Sequence, residues 1–181
     1  MNILVVLGSV REGRRGERVS NWFSGVAVAA GHHVDRVDLA QIKLPMEMEE
    51  TIPGATTNFE YTNSYTKAWS DKVRAADAVV FVHPEYNGSV SAALKNAIDH
   101  LYHEWKDKKI GLVGYGGAGG SADAQAHLRF IGENRLSWDL APTSVQITHI
   151  KDAFDTDQNT LKDNETYAAA AHQMLTELAQ Q

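Results

Sequence analysis

At 181 residues, with 43% hydrophobic and 22% charged side chains, the chain has the size and balance of one globular domain with a sizeable core. Its formal charge of −6 argues against wholesale nucleic-acid binding, which calls for a basic face. The absence of cysteine excludes disulfides, thiolate zinc sites, iron–sulfur clusters and a cysteine nucleophile.

Met1-Asn2 leads straight into an apolar run at residues 3–7, too short for a helix and suited to a strand buried on both faces. This start lacks the basic region, apolar stretch and cleavage site of a signal peptide. No apolar run approaches the roughly 18 residues of a membrane span, so a cytoplasmic protein without membrane attachment is expected. A loop follows, Gly8-Ser9-Val10-Arg11-Glu12-Gly13-Arg14-Arg15-Gly16. From about Glu17 a helical pattern runs to Ala30, with Val19, Trp22, Phe23 and Val26 on one side and Gly31 as the stop. Residues 34–39 read as a second strand. Residues 40–63 show no clear period, are broken by Pro45, Pro53 and Gly54, and suit a binding loop or a subunit contact.

Residues 65–75 look helical and hand over to the strand Ala78-Val79-Val80-Phe81-Val82. The turn Pro84-Glu85-Tyr86-Asn87-Gly88-Ser89 comes next. Val90, Leu94, Ala97, Ile98, Leu101 and Trp105 then fall on one face of a helix. Residues 110–113 form a fourth strand, followed by Gly114-Tyr115-Gly116-Gly117-Ala118-Gly119-Gly120 and a helix over 121–134. Residues 143–150 alternate as a fifth strand, and residues 164–181 close the chain as a helix. Strand followed by helix, five times over, predicts a single three-layer α/β/α sandwich across residues 1–181. Five parallel strands fit the flavodoxin-like order 2-1-3-4-5. Ligands in such sheets bind at the carboxyl ends of the strands, beside the switch point between strands 1 and 3. The loops at 8–18, 83–91 and 114–120 therefore share one edge.

The first of these loops sets Arg11, Arg14, Arg15 and Arg18 against Glu12 and Glu17 and ends at a helix N-terminus. Free backbone amides, the helix dipole and the Ser9 hydroxyl favour a phosphate there. It lacks the Gly-x-x-x-x-Gly-Lys-Ser/Thr of a nucleoside-triphosphate loop. In the second loop, Pro84 holds His83 extended, Gly88 permits a sharp turn, and Ser89 or Ser91 can cap the next helix. Tyr86 offers a flat face with a polar tip, and Asn87 serves the turn or a ligand. The third loop matches Gly-x-Gly-x-x-Gly, but in the fourth βα turn rather than the first. It reads better as bare backbone open to a flat ring.

Gly8-Ser9-Val10-Arg11 with Gly16-Glu17-Arg18-Val19 resembles the phosphate loop of the NADPH-dependent FMN reductase family. Pro84-Glu85-Tyr86-Asn87-Gly88-Ser89 followed by Ala93-Leu94-Lys95-Asn96-Ala97-Ile98-Asp99 is similar to that family's most specific run. Residues 114–120 resemble its third flavin loop. The resemblance spans residues 2–135. Ser91 stands where many members have proline, and Arg15 where members vary. The resemblance implies an FMN enzyme in which NADPH or NADH delivers hydride to flavin N5 and is then replaced by an acceptor. Quinones, azo compounds, free flavin and oxidised metal ions are the acceptors it suggests. It implies that Ser9, Arg11, Arg14, Gly16, Glu17, Arg18 and Val19 hold the phosphate. Pro84, Glu85, Tyr86, Asn87 and Gly88, with Gly116 and Gly117, would frame the isoalloxazine. No side chain acts as an acid, base or nucleophile. A homodimer or homotetramer is implied, with residues 40–63 and the helix after Gly88 as candidate contacts. A carrier or redox sensor with little turnover of its own is the alternative.

Other signals carry less. His100 and His103, spaced as on one helix, suit a surface or subunit contact better than a metal. His32-His33 follows a helix end, where a cation suits the dipole. Trp22, Trp69, Trp105 and Trp138 suit core packing. The lack of a Gly-x-Ser-x-Gly elbow weighs against a hydrolase. Asp152, Asp155, Asp157 and Asp163 suggest a solvated acidic loop rather than a cation site.

Overall fold

The computed structural model describes residues 1–155 and 160–180. Asp157, one member of the expected acidic patch, lies outside the described residues. The main elements in chain order are β1 (Asn2–Leu7), α1 (Gly16–Ala29), β2 (His33–Asp38), α2 (Leu39–Ile42), α3 (Ser64–Ala75) and β3 (Ala78–Pro84). They continue with α4 (Ala92–Asp99), β4 (Lys109–Tyr115), α5 (Ala122–Ile131), β5 (Asp139–Leu140), β6 (Val145–Ile147) and α6 (Asn164–Gln180).

The strands form one parallel sheet in the order β2-β1-β3-β4-β5, with β6 also on β4. The predicted flavodoxin-like order is therefore present, but its fifth place is shared by two short segments. β5 pairs with Lys109 and Ile110, and β6 pairs with Val113 to Tyr115. Between them stands Pro142, which has no N–H to continue the ladder. The fifth strand is thus shorter than predicted, and His149, at φ 46°, has already turned out of the extended conformation.

The two faces of the sheet follow from strand alternation. Ile3, Val5, Leu7, Ala78, Val80, Val82 and Val113 pack against Val19 and Phe23 of α1 and Met174, Leu175 and Leu178 of α6. Leu4, Val6, Val79, Phe81, Ile110 and Leu112 face Trp69 of α3, Leu94 and Ile98 of α4 and Leu128 of α5. Trp69, Trp105 and Trp138 cluster with Phe81 at ring separations of 5.5–6.4 Å, as the core reading expects.

Ser91 caps α4, its hydroxyl accepting from the Leu94 amide at 3.1 Å. The helix stops at Asp99, short of the predicted run to Trp105. Leu101 and Trp105 remain buried because a turn at His103–Trp105 folds back, with Trp105 Nε1 donating to the Ile98 carbonyl at 2.9 Å. His100 and His103 are therefore not partners on one helix. His100 is buried rather than at the surface, its Nε2 2.9 Å from the Pro45 carbonyl; His103 Nε2 lies 3.1 Å from the Gly54 carbonyl. These contacts fasten the 40–63 stretch to α4. Asn96 joins them, donating to the Leu44 and Pro45 carbonyls at 3.2 and 2.9 Å. At the end of α1, burial and the N-terminal ammonium push His32 below its ordinary pKa, against the cationic role expected there. Among the described residues no helix is long and apolar enough to cross a membrane.

Candidate functional site

The three predicted loops meet at the carboxyl ends of β1, β3 and β4. The loop after β1 is tied down at once: the Gly8 amide donates to the Val82 carbonyl at 2.9 Å, and the Ser91 hydroxyl donates to the Gly8 carbonyl. Ser9 is buried, with Oγ 2.7 Å from the Tyr86 hydroxyl. The Arg11 guanidinium lies 4.7 Å from the centroid of the Tyr86 ring, a cation–π distance. One loop thus grips Tyr86 at its tip and on its face.

Arg14 is bound within the protein. Its Nη1 donates to the Ser9 carbonyl at 3.0 Å, and its Nη2 to Glu17 at 2.7 Å and to Asp38 at the end of β2. The flanking carboxylates offset its charge, so Arg14 braces the loop against the neighbouring strand. Arg15 precedes α1 without a side-chain cap on that helix end. The Arg18 amide turns back to the Arg15 carbonyl at 3.1 Å, which leaves the Gly16 and Glu17 amides to another partner. Gly16 opens the helix where no side chain fits: a Cβ there would come within 2.3 Å of the Tyr115 hydroxyl. Val19 belongs to the core, and the Arg18 guanidinium lies 6.0 Å from the Phe154 ring centroid.

The second loop is a two-residue reversal. The Tyr86 amide donates to the Ser89 carbonyl at 2.8 Å and the Ser89 amide to the Tyr86 carbonyl at 3.1 Å. Asn87 and Gly88 have φ values of 52° and 72°, the left-handed pair of a type I′ turn. Asn87 therefore serves the turn. The Glu85 carboxylate accepts from the amides of Asp123 and Ala124 at 3.0 and 3.2 Å and so caps α5, where the helix dipole favours an anion. Ser89 Oγ, 2.7 Å from His127 Nδ1, adds a second tie to the same helix.

In the third loop the glycines divide. A Cβ on Gly114 would fall 1.6 Å from Ser121 Oγ, and one on Gly116 would fall 1.6 Å from the Gly120 carbonyl oxygen. Close packing demands glycine at both. A Cβ on Gly117 or Gly119 would meet nothing within 4 Å, so bare backbone faces open space there. The His149 and Ile150 amides donate to the Gly117 and Gly116 carbonyls at 2.8 and 2.9 Å, bringing Ile150 to the rim.

Between the loops lies a crevice of about 190 Å³. Of the predicted residues, Ser9, Arg11, Arg14, Pro84, Glu85, Tyr86, Gly116 and Gly117 line it. Gly16, Glu17, Arg18 and Val19 build the helix beside it, and Asn87 and Gly88 form the turn behind Tyr86. Gly13, Arg15, Tyr115 and Ile150 also line it and fall outside the predicted set. Tyr115 was discoverable as a member of the predicted third loop, 114–120, although the structure makes it the last residue of β4. Ile150 carries no local signal, because the chain returns to the site only through tertiary hydrogen bonds. A larger recess of about 320 Å³, at the opposite end of β1 and β2, is lined by Ile3, His33, Val34, Asp35, Lys72 and Ala75, and there Lys72 is paired with Asp35 at 2.9 Å.

Comparison with known proteins points the same way. The family model described as NADPH-dependent FMN reductase matches residues 1–152. An NAD(P)H-dependent FMN reductase of Schizosaccharomyces pombe is 39% identical over 151 residues, covering 83% of this chain and 74% of the relative. An FMN-dependent NADPH-azoreductase of Staphylococcus haemolyticus is 32% identical over 162 residues, covering 89% and 84%. Among solved structures, the flavoenzyme NAD(P)H:(acceptor) oxidoreductase FerB of Paracoccus denitrificans superposes with a TM-score of 0.72 over 98% of this chain and 95% of its own. At 21% identity that likeness concerns the fold.

Proposed function

This chain belongs to the NADPH-dependent FMN reductase family, and we propose that the crevice at the carboxyl ends of β1, β3 and β4 is where it holds FMN. It is an FMN-dependent oxidoreductase that draws on NADPH or NADH. FMN, when bound, supplies the redox chemistry, taking hydride from the nicotinamide and passing electrons to the acceptor. The chain's own residues bind and orient. The observation that carries the assignment is the meeting of three loops from three strands on one crevice. The residues fit the group. The uncapped start of α1 with Arg11 and Arg15 suits a phosphate, and the open backbone at Gly117 suits a flat ring. Tyr86, held by Ser9 and Arg11, supplies a rigid wall.

The crevice is smaller than the roughly 300–1,000 Å³ of enclosed ligand sites. A cofactor there would be partly uncovered in a single chain. Val10, Met46, Met48 and Ile52 are exposed on the first loop and the 40–63 stretch. These observations support a homodimer, or a pair of dimers, whose second copy covers the flavin. A small acceptor such as a quinone, an azo compound, free flavin or an oxidised metal ion would take the electrons, in the cytoplasm.

The test is direct. Purified protein titrated with FMN should quench the flavin's fluorescence at one site per chain. The yellow complex should bleach anaerobically on addition of NADPH and recover its colour with a quinone. Colourless protein that takes up no FMN overturns the assignment. Bound FMN that NADPH and NADH both fail to reduce would make the protein a carrier.

A further inference from the structure

Tyr115 ends β4 with its phenol turned toward the start of α1, and it is only 5% exposed. Its hydroxyl has no hydrogen-bond partner, although buried polar groups are nearly always satisfied. The Ser9 hydroxyl is near enough to act on the phenol, but its own close contact, at 2.7 Å, is with Tyr86. The Tyr115 hydroxyl instead sits against Gly16, the first residue of α1, where a Cβ would approach it to 2.3 Å. That helix of 14 residues has no side-chain cap. Two features of different origin therefore converge on one spot: the leading amides of α1, at Gly16 and Glu17, and an unpaired phenol from another strand. Both are donors. Arg11 and Arg15 line the same crevice, while Arg14 is offset by Asp38 and Glu17.

We infer that Tyr115 is a positioning residue for the flavin, its O–H donating to the terminal phosphate seated at the N-terminus of α1. The inference rests on the assignment of the crevice to FMN made above. A phosphate monoester suits the spot because it offers several acceptor oxygens and a charge that the helix end favours. Burial, followed by the field of Tyr86, raises the phenol above its ordinary pKa; Ser9, Arg14 and Arg11 pull the other way without reversing it. The hydroxyl thus keeps the proton it would donate. No acid–base step is asked of it.

The test compares wild type with Tyr115→Phe, which removes one oxygen. FMN, riboflavin and inorganic phosphate are the probes, with flavin fluorescence and thermal melting as readouts. Loss of a hydrogen bond to a charged group should weaken FMN about 10- to 100-fold. Riboflavin, which has no phosphate, should bind both proteins alike. Flavin-free Tyr115→Phe should melt no lower than wild type, since it no longer buries an unpaired hydroxyl. Inorganic phosphate should raise the melting temperature of wild type more than that of the variant. Equal FMN affinity in the two proteins overturns the inference and leaves the FMN assignment standing. FMN and riboflavin weakened by the same factor would mean that the phenol touches the ring or the ribityl chain, and also overturns it. Phosphate protection without any FMN binding to wild type would overturn both.

Discussion

Ser9 Oγ and the Tyr86 hydroxyl lie 2.7 Å apart and join two loops whose residues stand 77 positions apart in sequence. The bond spans the head of the sheet between β1 and β3, and the Arg11 guanidinium lies over the face of the same tyrosine. A type I′ turn at Asn87 and Gly88 holds Tyr86 from behind. The wall of the crevice is therefore built before any ligand arrives. Such preorganisation lowers the ordering cost of binding.

Two substitutions separate the bond from the wall. Tyr86→Phe removes one hydrogen bond and should reduce stability by about 1 kcal/mol, with FMN affinity falling a few-fold. Tyr86→Ala removes the ring from a half-buried position. It should lower quinone turnover at saturating FMN by about tenfold or more, while urea unfolding shifts by no more than about 1–2 kcal/mol. Steady-state assays beside unfolding curves check both. A Tyr86→Ala protein that keeps its flavin affinity and every acceptor rate would show that the ring forms no part of the site.

The third loop offers a sharper contrast between neighbours. Gly116→Ala drives a methyl to 1.6 Å from the Gly120 carbonyl oxygen, which only backbone movement relieves. It should destabilise the FMN-free protein by about 2 kcal/mol or more. Gly117→Ala places its methyl in open space and should leave the FMN-free protein within about 0.5 kcal/mol of wild type. If Gly117 faces the flavin, that methyl nevertheless lowers FMN affinity. Differential scanning calorimetry without flavin and FMN titration give the two halves of the comparison.

What sequence alone makes legible depends on how local the cause is. β1, β3 and β4 are buried on both faces, so their unbroken apolar runs announce them. The fifth strand does not announce its division, because Pro142 breaks the ladder while Val145 and Ile147 keep strand alternation. β5 has two residues, too few for any period to show. α4 misleads in the other direction. Leu101 and Trp105 keep helical spacing because both must be buried, yet the backbone has already left the helix at Asp99. At the site, the loops and their glycines are legible as residue types, and the partners of the charged groups are not. Arg14 reads as an unopposed cation in sequence, and only the sheet order sets Asp38, 24 residues away, beside it. Glu85 lines the crevice as read, but that its carboxylate caps α5 is equally invisible in the sequence. The unpaired phenol of Tyr115 is a tertiary fact that no pattern encodes.

His83, at the end of β3, makes the fold sensitive to acid. The ring is fully buried directly before the crevice loop, with Nδ1 3.3 Å from the Pro84 carbonyl and Nε2 unpaired. Burial lowers its pKa from 6.5 to about 4, opposed only in part by the contact with Pro84. The unfolded chain thus takes up a proton at a higher pH than the folded one. The stability contributed by neutral His83 is complete above about pH 6.5 and is lost progressively as the pH falls toward 4. The difference is worth about 3 kcal/mol by linkage. Urea unfolding at pH 7 and pH 4.5 should show a larger acid loss in wild type than in His83→Leu, because the other titrating groups are common to both. The ring signal of His83 in NMR should keep its neutral position down to about pH 5. Because His83 is followed by Pro84 and Glu85, flavin release on acidification should accompany this loss. An acid loss that is identical in both proteins would place the sensitivity elsewhere.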